Sequence, residues 1–162
     1  MSAKQDNIDT VTAWVKAIND NDIEAELACW CSDGEFTIAS LGTTFHGVDE
    51  IRAGGEQSAN LVGAQPAEGR KQITHINGAA TWTVVEYDAH ATITGPLIVA
   101  GTTLLADGEQ REVVTHTCVV FLMKEGKLWR GQEYFDTTAM AEQLGLSPDM
   151  LARMYASLAE KR

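Results

Sequence analysis

Positive charge is what this sequence most lacks. Twelve Lys and Arg stand against 23 Asp and Glu in 162 residues, a formal net charge of −11. Nucleic-acid surfaces and anionic membrane faces both require clustered basic side chains, so neither partner is expected. Long apolar runs are missing as well. The opening residues 1–7 are polar, no apolar signal core follows them, and no stretch approaches membrane-spanning length. The expectation is a soluble, cytoplasmic chain. Cysteine is scarce and odd in number: Cys29, Cys31 and Cys118. Without a Cys-x-x-Cys pair these read as reduced thiols, not as a disulfide framework or a zinc site. A Gly-rich phosphate loop, a His-Glu-x-x-His pair and a nucleophile elbow are also absent. The expectation is therefore no metal and no cofactor.

What is present is an ordinary globular balance, 44% hydrophobic and 22% charged, suited to one domain over 1–162 with one buried core. Ile8, Val11, Trp14, Val15 and Ile18 form a helical stripe over 7–19, with Asp6 or Asn7 available as the cap. Asn21-Asp22-Ile23-Glu24 resembles a capping box. It opens a second helix predicted to run to about Cys31, with Leu27, Ala28 and Trp30 inward. Cys29 and Cys31, two apart on that helix, would point to different sides. A short strand is expected over 35–40. Acidic residues after Gly47 suit the first turn of a third helix ending near Leu61, before a loop over 63–70.

Four strand-like runs follow, at 71–76, 81–94, 111–123 and 127–135. Asn77-Gly78, Asp107-Gly108 and Glu125-Gly126 give the hairpin signals around them. A helix from Thr137 to about Gln143 closes the body. Ser147-Pro148-Asp149 starts a further amphipathic helix over 147–162, with Met150, Leu151, Met154, Tyr155 and Leu158 at helical spacing. Helices, then an antiparallel meander, then closing helices give an α+β class. The long strands carry apolar side chains on both faces, so one face is expected on the helices and the other against solvent or a partner subunit.

Several stretches carry a family resemblance. A Trp-containing helix leads through Asn19-Asp20-Asn21-Asp22 to Cys31-Ser32-Asp33-Gly34-Glu35-Phe36 and then Phe45-His46-Gly47. The segment from Gly126-Lys127-Leu128 to Glu133-Tyr134-Phe135-Asp136 and Gln143-Leu144-Gly145 resembles the end of SnoaL-like and limonene-epoxide-hydrolase-like proteins. His90–Leu97 also looks SnoaL-like. Over about 8–146 the chain thus resembles the nuclear-transport-factor-two-like superfamily, in its SnoaL-like branch. The resemblance implies a cone-shaped, strongly curved antiparallel sheet on N-terminal helices, one apolar pocket and a homodimer. It says less about reaction, since folds host many functions.

The family's functional positions carry over unevenly. Where the ketosteroid-isomerase branch has its tyrosine, aspartate base and strand acid, this chain has Trp14, Ile38 and Val119. Where the epoxide-hydrolase branch holds its water with a tyrosine and an asparagine, Phe36 and Ile38 stand. The arginine and second aspartate of that branch fall at Tyr87 and Ala89. Its remaining aspartate, which is also the acid/base position of SnoaL-like cyclases, matches Glu133. The strand histidine of the cyclases falls near Val119. That of dehydratase-like members corresponds to His75, an alternative catalytic candidate, and the helix aspartate that partners it falls at Asn19, with Asp20 adjacent.

Glu133 is therefore the main catalytic candidate. Strand alternation places Trp129, Gly131, Glu133 and Phe135 on one face. A carboxylate desolvated among aromatic surfaces moves toward the range in which it exchanges protons near neutrality, and Gly131 would leave room for a ligand. The competing reading is a solvent-facing or salt-bridged Glu. Trp14 reads first as a core aromatic, with an indole N–H that could donate to a carbonyl or oxyanion. Tyr87, on a face with Val85 and Ala89, could orient a substrate; Ile38, Thr117 and Val119 complete the expected substrate wall. Glu86, Asp88 and His90 fall on the opposite face, and His116 and His46 read as surface or interface groups.

The activity implied is cofactor-free acid/base chemistry on a small apolar carbonyl, ester or enolisable compound, of cyclase or isomerase type. The alternatives are a non-catalytic ligand-binding member of the same fold, an epoxide-hydrolase-like or dehydratase-like enzyme, and an interaction module using the outer sheet face.

Overall fold

A computed structural model describes residues 2–62, 70–99, 101–147, 149–151 and 153. The expected loop over 63–70, apart from Arg70, and most of the helix expected over 147–162 lie outside them. Within them α1 (Ala3–Asp20), α2 (Ile23–Ala28) and α3 (Gly47–Val62) pack on a six-stranded sheet. The strands are β1 (Trp30–Ile38), β2 (Thr43–His46), β3 (Lys71–Gly78), β4 (Trp82–Thr94), β7 (Gln110–Lys124) and β8 (Lys127–Phe135). Their order is β2-β1-β8-β7-β4-β3. A separate ribbon, β5 (Leu97–Val99) with β6 (Thr102–Leu105), and α4 (Thr137–Leu144) close one end. The expected α+β architecture is present, helices on one face of a curved sheet.

The long β4, β7 and β8 pair antiparallel, as the turn signals predict, but β1 joins β8 in parallel. This long-range pairing puts Ile38 beside Glu133 and Phe36 beside Gly131.

Three boundaries differ from expectation. First, α1 begins four residues earlier than predicted, with Ser2 as its cap. Asn7 is instead buried, and its side-chain amide donates to the carbonyls of Ala79 (2.9 Å) and Ala80 (3.1 Å), tying the helix to the β3–β4 turn. Second, α2 starts at the cap Asp22 but stops at Ala28, so Trp30 and Cys31 belong to β1. Leu27 and Trp30 point inward as expected, whereas Ala28 is exposed. Third, the strand expected over 35–40 is the second half of β1, and residues 39–41 form a 3-10 turn. A register shift between Trp30 and Glu35 explains why β1 shows no continuous alternation in sequence.

The main core joins Val11, Trp14, Leu27, Trp30, Val85, Val119, Phe121 and Leu128 under the helices. Trp14 meets Phe121 edge-on at 5.1 Å, and Trp30 meets Phe121 and Phe36 at 5.8 Å each. A second cluster, with Ile93, Leu105, Val113 and Leu144, lies under α4. Residues 149–151 and 153 are helical, and Leu151 is fully buried in that cluster. Among the described residues no helix is long and apolar enough to cross a membrane.

Candidate functional site

A cavity of about 240 Å3 opens between α1–α3 and the concave face of the sheet. Its walls are mostly apolar: Trp14, Ile18, Trp30, Phe36, Ile38, Phe45, Ile51, Phe135 and Met140. A polar strip crosses them, made of Lys71, Tyr87 and Glu133, with Glu26, Arg70, His90, Thr43, Thr115 and Thr117 elsewhere on the lining.

The strip is connected. Lys71 Nζ donates to Tyr87 Oη at 2.9 Å, and the Tyr87 hydroxyl donates to Glu133 Oε1 at 2.7 Å. Three strands supply the three groups. Tyr87 on β4 stands opposite Thr117 of β7, and Glu133 on β8 stands opposite Val119, two residues on. Tyr87 is 1% exposed. Burial, reinforced by the Glu133 carboxylate, pushes its phenol far above the ordinary range, so the ring keeps its proton and serves as a donor.

Lys71 opens β3, and Asn19 of α1 fixes its backbone. The Asn19 side chain accepts from the Lys71 N–H (2.8 Å) and donates to the Lys71 carbonyl (3.0 Å). The residue is half-buried, with its ammonium inside the cavity, 4.5 Å from the Tyr87 ring centre and 5.2 Å from that of Trp14. Burial lowers its pKa. Glu133 and Glu26 oppose this, and Arg70 adds to it.

Across the cavity, burial raises the Glu26 carboxyl, opposed by Lys71, the Trp14 indole and Arg70. Trp14 Nε1 is itself buried without a formed hydrogen bond, so its pull on Glu26 is a loose contact. Arg70 donates to Asn21 Oδ1 at 2.8 Å, which ties its guanidinium to the α1 C-terminus.

Of the residues singled out from sequence, Glu133, Trp14, Tyr87, Ile38, Thr117 and Phe135 all border this cavity. Three do not. Val119 is fully buried in the core beneath the strip. Trp129 is displaced by a register shift in the β7–β8 pairing, which breaks the alternation that grouped it with Gly131 and Glu133. Its ring instead stacks on Arg130 at 4.4 Å, with Lys124 Nζ at 5.7 Å. His75 lies on the exposed stretch of β3, beside a further register shift, away from the cavity.

Two smaller expectations also change. The space at Gly131 is filled by protein: a Cβ there would lie 2.7 Å from Phe36 Cδ2 and 2.8 Å from Phe121 Cε1. His90, expected on the opposite face, borders the cavity, whereas Asp88 and His116 pair on that outer face at 2.6 Å. No group of His, Cys, Asp and Glu able to hold a metal occurs among the described residues.

Lys71, Glu26 and Arg70 escaped the sequence reading. Lys71 and Arg70 sit at a loop-to-strand junction, and Glu26 on a short helix, where charged residues are commonplace. Only the pairing of Lys71 with Ala89 of β4, two residues from Tyr87, brings it to the cavity.

No curated protein matches this sequence. Among solved structures, a candidate polyketide cyclase of Xanthomonas campestris pv. campestris superposes with a TM-score of 0.71 at 20% identity, covering 88% of this chain and 99% of that one. A Catenulispora acidiphila protein with a ketosteroid isomerase-like fold, in complex with trimethylamine, gives 0.68 at 17% identity, covering 86% and 95%. An M. tuberculosis LEH-like epoxide hydrolase gives 0.65 at 17% identity, covering 98% and 99%. These likenesses carry the NTF2-like fold. Residues 11–131 match the SnoaL-like domain, and the chain belongs to that family.

Proposed function

We propose that this chain is a cofactor-free enzyme that moves protons on a small, largely apolar carbonyl, ester or enolisable compound, with Glu133 as the acid/base. The observation that supports this is the Lys71–Tyr87–Glu133 hydrogen-bonded strip crossing a mostly apolar wall. A carboxylate so placed is oriented by the Tyr87 donor and borders the space a ligand would fill. Lys71, whose ammonium has protons beyond the one it gives Tyr87, offers a donor to a developing enolate oxygen, in a site where such a donor acts with little water to screen it. The apolar lining selects the body of the ligand, and the cavity volume, below the ~300–1,000 Å3 usual for drug-sized ligands, selects a small one. The candidate cyclase among the structural neighbours is consistent with this reading. We further read the chain as a single domain, cytoplasmic and homodimeric.

The test needs no known substrate. Exchange of α-hydrogens for deuterium on a panel of small ketones and esters, followed by proton NMR, reads proton transfer directly. Glu133→Gln keeps shape and removes the base, so exchange should fall by about 10²–10⁴-fold while binding changes far less. Equal exchange in both proteins would end the catalytic reading. Binding without exchange in the unaltered chain would favour the non-catalytic alternative, which the apolar Phe36 and Ile38 at two family catalytic positions support.

A further inference from the structure

We propose that Lys71 is a covalent attachment point, its ε-amine condensing with the carbonyl carbon of a small aldehyde, ketone or 1,3-dicarbonyl compound held in the cavity. The proposal rests on reading the cavity as a carbonyl site and adds a bond to it. The geometry supports it in three ways. Lys71 Nζ lies inside an apolar chamber, over the Trp14 and Tyr87 rings. Its backbone is fixed by Asn19 through both N–H and C=O, so the amine is aimed from a rigid strand end. Among the described residues no carboxylate forms an ion pair with it within 4.0 Å, which leaves the nitrogen able to be approached.

The charged and titratable groups around it are Glu26 on α2, Arg70 before β3, Tyr87 on β4 and Glu133 on β8. The two carboxylates favour the ammonium form. Burial and Arg70 favour the neutral amine, and burial dominates. A desolvated lysine whose ammonium is disfavoured is the state in which amines attack carbonyls.

The bond balance closes without another reactant. The neutral amine forms the C–N bond and the carbonyl π electrons move to oxygen. A nitrogen proton leaves through the Tyr87 hydroxyl to Glu133, along contacts of 2.9 and 2.7 Å. That proton and the one the ammonium gave up before attack are both returned to the former carbonyl oxygen, which departs as water as the nitrogen lone pair forms the C=N bond. Overall, an ammonium and a carbonyl give a protonated imine and one water. The imine draws electrons from its α-carbon, so an adjacent C–H is acidified within reach of the same carboxylate.

Acetylacetone is the probe. With an amine it loses water and yields a conjugated enaminone that absorbs in the near ultraviolet and survives mass spectrometry. Incubated with the full chain at neutral pH, it should add one equivalent, and peptide mapping should place it on Lys71. Labelling there should come first, ahead of Lys4, Lys16, Lys124 and Lys127, because among these only Lys71 stands in an apolar cavity that can hold the diketone. Lys71→Arg, which keeps the charge and loses the condensing amine, should abolish the fast phase. If that variant fails to fold, mapping of the unaltered chain still decides. Equal labelling of all lysines, or none at Lys71, overturns the proposal. Shifts of the Trp14 and Tyr87 NMR signals tell two failures apart. Shifts without a bond leave the carbonyl cavity standing and refute the covalent step; no shifts refute both.

Discussion

Glu26 and Lys71 both line the cavity, where burial disfavours the charged form of each, and this has a measurable consequence. Burial raises the Glu26 carboxyl from its ordinary 4.5, against the pull of Lys71, Trp14 and Arg70. The folded chain therefore holds this proton at pH values where the unfolded chain has released it. The stabilisation is complete below pH 4.5 and is lost as pH rises through the raised value. Glu26→Gln, neutral throughout, should be more stable than the parent at pH 7, with a higher Tm, and the gain should vanish toward pH 4 when followed by calorimetry. A gain that did not vary with pH would contradict this account. The same contrast governs what could be read from sequence at this scale. Glu133 was legible because strand alternation and a family position coincide on it. Lys71, Glu26 and Arg70 were not, because only the fold turns these ordinary charged residues toward one cavity.

At the scale of elements, β8 carries the site, and its fit to β1 and β7 depends on a missing side chain. Gly131 lies between Phe36 and Phe121, where a methyl group would meet both rings below 3.0 Å. The rings belong to the aromatic cluster that also holds Trp14 and Trp30, so they have little freedom to withdraw. Gly131→Ala should therefore cost about 1–3 kcal/mol in urea unfolding and should reshape the cavity wall at Phe36. Stability equal to the parent would mean that the cluster yields. The four long strands were legible within a few residues because Asn77-Gly78 and Glu125-Gly126 punctuate clean apolar runs. β2 and the β5–β6 ribbon were not, being only three or four residues long. The parallel β1–β8 pairing has no local sequence mark, since it joins residues almost a hundred apart. The register shift at Trp129 likewise has none, and it removed that ring from the expected site.

For the molecule as a whole, the convex face of the sheet is the surface proposed for assembly. Trp82, Val120, Leu122 and Tyr134 keep 40%, 39%, 43% and 45% of their surface exposed. Trp82 stands opposite Leu122 on the adjoining strand, and Cys118 stands opposite Tyr134. Exposed large apolar side chains grouped on one sheet face are the kind of surface that partners cover. A second copy of this chain is the proposed occupant, paired sheet to sheet. Each copy carries a formal charge of −11, so pairing brings like charges together and should tighten as salt shortens the Debye length from about 30 Å at 0.01 M to about 10 Å at 0.1 M. Light scattering at micromolar concentration should give twice 17.5 kDa, with a fraction of monomer that grows at low salt. Leu122→Lys adds two like charges at the centre of the pair and buries them, a cost of several kcal/mol, so it should leave a monomer. Leu122 points away from the cavity, so that monomer should still bind a small carbonyl compound. A dimer that persisted in Leu122→Lys would place the interface elsewhere. A parent chain of 17.5 kDa at every salt concentration would mean that the exposed stripe serves a different partner.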